Sequence, residues 1–318
     1  MNKQIPAYVL TGFLGSGKTT VLLRMIEVAK AKGMQPIIVM NELGETNVER
    51  HLFKDIEMVE LLNGCICCTI QDDMRSELEQ ILHTENKGDI LFIEGTGVAN
   101  PEEIIEALTH PQLIDRVKLQ SVISVIDASK YVDYQSRFQS AKEVRELLKQ
   151  QVTLGSLIVL NKIDLTSDRL LEKVRRKVRS GKSEQTPIVE ASNGLIEEED
   201  LFATRFKWDE MNFHHTEEDE HEHHHHHNHS FQAIKVSNVG KVNRVKFEKW
   251  LKKHDEKLVR AKGMIQLSET PKAYNFQYAS KQLQLTPTSS HEEFVMIFIG
   301  IGLNKEELIN SFREEVVE

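Results

Sequence analysis

Residues 5–10, IPAYVL, are apolar at nearly every position, a pattern that suits a strand buried on both faces of a sheet. The same character recurs in PIIVM at 36–40, EMVEL around Met58, DILFI ending at Ile93, SVISVI before Asp127, SLIVL before Asn161 and PIVEA from Pro187. Helical spacing fills several gaps between them. A first helix runs to about Ala31 and is closed by Gly33; others are DMRSELEQILH from Asp73, PEEIIEAL with Pro101 in its first turn, AKEVRELLKQ from Ala141 and DRLLEKVRRKV from Asp168. Five to seven short strands alternating with helices predict an α/β fold with a mostly parallel sheet flanked by helices.

The pattern breaks after Trp208. Between His214 and His229 stand nine histidines and five acids with no core-forming period, so 209–230 is expected to be an acidic, His-rich linker or loop. Apolar patterning resumes at Phe231 with a helical VNRVKFEKWLKKH, a strand-like GMIQLS, an alternating YNFQYA, a strand EFVMIFIGIG and a closing helix KEELINSFREEV introduced by Asn304. The expected division is therefore 1–208, a linker over 209–230, and a smaller C-terminal α+β domain over 231–318.

Composition narrows the function classes. Hydrophobic residues make up 40% and charged residues 28% of 318 residues, enough for a core without structural metal or disulfides. A net charge of −9 argues against a broad nucleic-acid-binding face. Neither a leader-like N-terminus nor a membrane-spanning apolar run is read, and a cytoplasmic protein is expected. The three cysteines, Cys65, Cys67 and Cys68, are too close to staple distant segments, which favours a reducing compartment and a thiolate role.

Residues 12–19, GFLGSGKT, complete the pattern G-x-x-x-x-G-K-T between a strand and a helix. Gly12, Gly15, Ser16 and Gly17 are expected to bring backbone amides to phosphates, Lys18 to reach the β- and γ-phosphates, and Thr19 to ligate Mg²⁺, with Thr20 beside it. At the end of the SLIVL strand stands Asn161-Lys162-Ile163-Asp164. A carboxylate at Asp164 accepts from the ring N–H and amino group of guanine, a donor pair that adenine lacks, so GTP and GDP are the expected nucleotides. Asn161 either holds the loop or meets the base, and the Lys162 stem covers the base's face. EASNG at 190–194 is a weaker candidate for backbone contacts to the base. Glu94, at a strand end before Gly95 and Gly97, is a candidate to hold Mg²⁺ through water or to polarise the hydrolytic water, against the alternative of a structural acid. Glu42 and Glu45, in NELGET, offer carboxylates to Mg²⁺ or to a second metal, or form an exposed charged turn.

At this point the chain resembles the CobW-like metallochaperone family of P-loop GTPases, the cobalamin-synthesis and zinc-chaperone type. The resemblance rests on 12–19, NELGE at 41–45, GCICC at 64–68, EGTGVANP at 94–101, NKID at 161–164, RAKG at 260–263 and VMIFIGIGL at 295–303. It implies a GTPase domain with low intrinsic hydrolysis, a smaller C-terminal domain, and nucleotide-dependent delivery of a transition metal. Two positions depart from the family pattern: Gly95 replaces a residue with a side chain, and Leu43 replaces an aromatic.

Apart from the family, C-x-C-C supplies soft ligands suited to Zn²⁺ or Cu⁺. Three thiols leave one position for another ligand, which permits exchange; two thiols with Glu42 or Glu45 are an alternative set. A buried apolar cluster and a redox centre are the competing readings of the cysteines. His221, His223, His224, His225, His226, His227 and His229 are neutral, metal-competent imidazoles at neutral pH, suited to weak multivalent capture of Zn²⁺, Ni²⁺ or Co²⁺, or simply to solubilising a linker. The expectation is a GTP-hydrolysing metallochaperone that carries Zn²⁺, with Co²⁺, Ni²⁺ and Fe²⁺ as other candidates, to a client metalloprotein. Its alternative is a non-enzymatic metal buffer with a regulatory nucleotide site. The smaller domain is expected to recognise the client and is open to self-association as a homo-oligomer.

Overall fold

The computed structural model describes residues 4–40, 57–60, 78–80, 88–110, 113–182, 184–212, 231–237, 239–279, 281–288 and 294–317. They fall into two compact units, 1–205 and 206–318. The first carries β1 (Ile5–Thr11), α1 (Lys18–Ala31), β2 (Pro36–Met40), β3 (Glu57–Glu60), β4 (Ile90–Glu94), α2 (Pro101–Leu108), β5 (Val117–Asp127), α3 (Tyr131–Tyr134), α4 (Lys142–Leu154), β6 (Leu157–Asn161), α5 (Asp168–Arg179), β7 (Ile188–Ala191) and α6 (Glu198–Phe202). Its seven strands are ordered β3-β2-β4-β1-β5-β6-β7, and every pairing is parallel. The sheet is the parallel one that the apolar runs predict.

Burial on both faces explains those runs. On β6, Leu157 and Val159 pack with Val21, Leu22 and Met25 of α1. The alternate residues Ile158 and Leu160 pack with Leu148 and Val152 of α4 and with Leu171, Val174 and Val178 of α5. A strand whose two faces each meet a helix layer favours an apolar residue at nearly every position before its end. Chain order also turns at β1: β2 and β3 lie to one side, β5 to β7 to the other. In open α/β sheets such a reversal leaves a crevice at the strands' carboxyl ends, and the 12–19 loop leaves β1 there.

Helix starts follow local chemistry. Asn100 caps α2 through a 3.0 Å bond from the Glu102 amide to Oδ1, with Pro101 in the first turn. Ser167 caps α5 by accepting from the Leu170 amide at 3.4 Å. The start of α1 differs: Gly17 precedes it in a left-handed conformation, no side chain caps it, and its first turn holds no acid.

The second unit holds β8 (Phe206–Asn212), β9 (Phe231–Ser237), α7 (Arg244–Lys253), β10 (Leu258–Gln266), β11 (Ala273–Ala279), β12 (Gln282–Thr288), β13 (Val295–Ile301) and α8 (Lys305–Glu315). Its sheet runs β12-β11-β10-β13-β9-β8. Phe247, Trp250 and Phe312 of the helices pack with Phe276 and Phe298 of the sheet. Asn304 caps α8, as the sequence pattern predicts, by accepting from the Glu307 amide at 3.1 Å.

The structure differs from the sequence reading in the boundary between the units and in strands β8, β9 and β12, which that reading did not include. The units divide after Arg205 rather than after Trp208, and residues 209–212, expected to open the linker, end a strand that pairs in parallel with β9. The pairing explains the shift, because Phe206 aligns with Phe231 and the strand belongs to the second sheet. The rest of the expected linker, 213–230, lies outside the described residues. The strand β12, QLQLTPT, was not legible because it lies at the sheet edge, has no buried residue and contains a proline.

Candidate functional site

The loop after β1 is shaped by close approach. At Gly12, with φ +145°, a Cβ atom would lie 2.1 Å from the Val125 carbonyl oxygen; at Gly17, with φ +99°, it would lie 2.4 Å from Asn161 Nδ2. Neither position admits a side chain without moving backbone or a buried amide. The Ser16 amide closes the turn on the Phe13 carbonyl at 3.1 Å. The Phe13 ring anchors it edge-on to Tyr134, with centroids 5.0 Å apart. With no cap on α1, the first amides of that helix are open to an anion, and their dipoles favour one.

Charged groups converge at the same end. Lys18 is buried, with Nζ 3.4 Å from the Phe13 carbonyl; burial lowers its pKa, and the nearby Glu94 carboxylate opposes that shift. The Thr19 hydroxyl donates to Glu94 Oε1 at 2.9 Å, tying the start of α1 to the end of β4. Ser16 Oγ is buried with no hydrogen-bond partner among the described residues. A buried ammonium, an unpartnered hydroxyl and uncapped amides together fit a polyphosphate. The hydroxyl and carboxylate oxygens of Thr19 and Glu94 are hard donors of the kind Mg²⁺ takes.

The far end of the site is held by Asn161 and Lys162. Asn161, also buried, donates from Nδ2 to the Ser16 carbonyl at 2.9 Å and accepts at Oδ1 from the Gly194 amide at 3.0 Å. It pins two loops, and Gly194 within EASNG is one of them. Lys162, in a left-handed conformation at φ +62°, donates from Nζ to the Gly15 carbonyl at 2.6 Å and to Asp127 Oδ2 at 2.8 Å. Asp127 is fixed in turn by the Ser129 amide and hydroxyl. Asp164 stands exposed in the single 3-10 turn that follows β6, and Thr20 is exposed beside Gly194. Sequence reading missed Asp127, although a strand-end carboxylate after an apolar run is a usable signal.

The remaining candidates, Glu42, Glu45, Cys65, Cys67, Cys68 and the histidines His221, His223, His224, His225, His226, His227 and His229, lie outside the described residues. Among the described residues no group of three or more His, Cys, Asp or Glu side chains is placed to hold a metal. No helix among them is long and apolar enough to cross a membrane. The strands that lead to the candidates are described, however. Met40, the last residue of β2, pairs with Glu94 on one side and with Glu60, the last of β3, on the other. With strands ~4.8 Å apart, Met40 and Glu60, the ends of β2 and β3, both lie within about 10 Å of the Glu94 backbone.

Comparison with known proteins decides the family. The model of the CobW/HypB/UreG nucleotide-binding domain matches residues 6–189, and that of the cobalamin synthesis protein cobW C-terminal domain matches 231–316. The chain belongs to the CobW/HypB/UreG family. Within that family, the zinc chaperone YjiA of Escherichia coli is 30% identical over 97% of this chain and 98% of its own length. The zinc chaperone CobW of a Sinorhizobium species is 34% identical over 61% of this chain and 60% of its own. The zinc-regulated GTPase metalloprotein activator 1 of Schizosaccharomyces pombe is 34% identical over 55% of this chain and 43% of its own. The chain thus spans about two fifths to three fifths of the length of several curated relatives it matches. The crystal structure of Zn(II)-bound YjiA GTPase from E. coli shares the fold, with a TM-score of 0.50 at 23% identity, over 98% of this chain and 99% of that one.

Proposed function

We propose that this chain is a GTP-hydrolysing metallochaperone that holds Zn²⁺ with Cys65, Cys67 and Cys68, with Glu42 or Glu45 completing the shell, and releases it to a client metalloprotein under nucleotide control. The observation that carries the reading is the strand-end row Leu10, Glu94, Met40 and Glu60. One end of one parallel sheet bears the 12–19 loop, the Glu94 carboxylate and the last described residues before Glu42 and before Cys65. Relatives named zinc chaperone support the choice of metal.

In this reading GTP enters with its phosphates over the 12–19 loop. The uncapped amides of α1 and the Lys18 ammonium neutralise the phosphate oxygens, while Asp164 accepts from the guanine edge. Asn161 and Lys162 hold the base-side loops rather than meeting the base themselves. Thr19, with Glu94 bonded to its hydroxyl, would hold Mg²⁺, which would supply charge neutralisation to the phosphates. Water attacks the γ-phosphorus, the bond to the bridging oxygen breaks to release GDP, and the proton lost by the attacking water passes to an oxygen of the phosphate product. Glu94 is placed to orient that water or to keep Thr19 in position. Loss of the γ-phosphate then removes contacts that hold the 95–97 loop and the neighbouring strand-end segments, which loosens the thiolate shell.

Phosphate release tests the enzymatic half. With GTP and Mg²⁺ the chain is expected to release phosphate, and Lys18→Ala is expected to lower that rate at least about 100-fold. Turnover that is absent in the wild-type chain, or unchanged in Lys18→Ala, would leave a nucleotide-regulated metal buffer as the better description. Replacing Cys65, Cys67 and Cys68 singly tests the metal half: each replacement is expected to weaken Zn²⁺ binding, and a set of three with wild-type affinity would remove the thiols from the site.

A further inference from the structure

Gln151 lies on the buried seam of α4 between Leu148 and Val152 and is 2% exposed. A leucine there would satisfy the seam without the roughly 1–3 kcal/mol that an incompletely paired buried amide costs, so its presence calls for a role beyond packing. Its Nε2 donates to the Gly97 carbonyl at 3.4 Å, 54 residues away in sequence. Its Oε1 has no hydrogen-bond partner among the described residues, and neither does the buried Ser124 Oγ on β5. Both residues line a small cavity of about 10 Å³. Phe13 of the phosphate loop, Asp127 and Tyr134 line the same cavity.

Gln151 therefore stands between two parts of the nucleotide site. On one side its amide holds the loop that follows Glu94. On the other, the cavity wall is the Phe13 ring that anchors the phosphate loop against Tyr134. The two parts also press directly on each other, because a Cβ at Gly97 would lie 2.6 Å from the Leu14 amide nitrogen. A loop held by one long hydrogen bond and one tight backbone contact has its position set by both.

We propose that Gln151 is a positioning residue for phosphoryl transfer, its amide fixing the 95–97 loop, and with it Glu94, against the phosphate loop. The inference rests on the GTPase reading above. Gln151 touches no reacting atom; it acts through the Gly97 carbonyl.

The test compares wild type, Gln151→Met and Gln151→Glu in phosphate release, GDP binding and unfolding. Methionine matches glutamine in length and fits an apolar seam, so Gln151→Met should fold at least as stably as wild type. Its kcat should fall about tenfold, with KM and GDP affinity within about twofold of wild type. Gln151→Glu should show a similar loss at pH 8, where an ionised carboxylate cannot donate to Gly97, and should recover activity as pH falls and the buried acid becomes protonated; Gln151→Met should show no such recovery. An unchanged kcat in Gln151→Met, or losses of kcat, GDP affinity and stability in step, would overturn the inference while leaving the GTPase reading intact. A wild-type chain that releases no phosphate would overturn both.

Discussion

Gly95 and Gly97 stand two residues apart in one loop, yet a methyl group would meet different neighbours at each. At Gly95 the nearest atom is Ile104 Cδ1, 2.9 Å away, the far end of a flexible side chain; at Gly97 it is part of Leu14, whose backbone nitrogen lies at 2.6 Å. Gly95→Ala should therefore change stability by less than about 0.5 kcal/mol. Gly97→Ala should cost about 1–3 kcal/mol and weaken nucleotide binding, because the strain falls on the phosphate loop. Denaturant unfolding with nucleotide titration checks the pair, and equal behaviour of the two variants would contradict the packing described. Gly95 is also where this chain departs from the family pattern, and a side chain there would have to displace the movable end of Ile104. Asn161 carries the second residue-scale prediction. Its amide satisfies the Ser16 carbonyl and the Gly194 amide at once. Asn161→Ala leaves both unpaired, so it should lower unfolding free energy by about 2–4 kcal/mol and loosen both ends of the nucleotide site. A loss confined to base affinity would instead place Asn161 against the base.

At the scale of elements, the end of α4 meets the end of α5 through Lys182. Its ammonium donates to the Thr153 carbonyl at 2.8 Å, in the last turn of α4, where a positive charge is favoured by the helix dipole. Burial outweighs that gain and, with the like charge of Arg179 second, holds the Lys182 pKa at about 8 rather than its ordinary 10.5. Between those values the unfolded chain keeps a proton that the folded chain has lost, so this group makes stability rise with pH across that window. The gap is worth up to ~3 kcal/mol. Lys182→Met should therefore be more stable than wild type at pH 7, and the difference should close by about pH 10.5; stability curves that run parallel from pH 7 to 10.5 would contradict it. Elements such as α4 and the β6 strand were legible in the sequence because burial on a helix seam or on both sheet faces forces an apolar period. The phosphate loop was legible for another reason: backbone binding of phosphate needs glycines and a lysine at fixed spacing. What could not be read were pairings between distant segments. Asp127 with Lys162 and Gln151 with Gly97 are joined across 35 and 54 residues by side-chain hydrogen bonds, and no local period records such partners. The edge strand β12 and the short helices α3 and α6 escaped because they bury too little to impose a pattern.

At the scale of the whole molecule, the first unit carries the candidate nucleotide site at one end of a parallel sheet, and β2 and β3, which precede the candidate metal-ligand residues in sequence, end at that same end. Such an arrangement becomes a chaperone only if the two ligands are coupled. Nucleotide turnover directs metal transfer by no more than the difference in metal affinity between the two nucleotide states, and the coupling is reciprocal: Zn²⁺ must favour GTP over GDP by the same factor. The measurement that bears most directly on this is a chelator-competition titration of Zn²⁺ against the full chain, once with a non-hydrolysable GTP analogue and Mg²⁺ and once with GDP and Mg²⁺. The account predicts at least about tenfold tighter Zn²⁺ binding in the GTP-analogue state, a coupling of ~1.4 kcal/mol, lost when Cys65, Cys67 or Cys68 is replaced. Equal Zn²⁺ affinities in the two nucleotide states would contradict it.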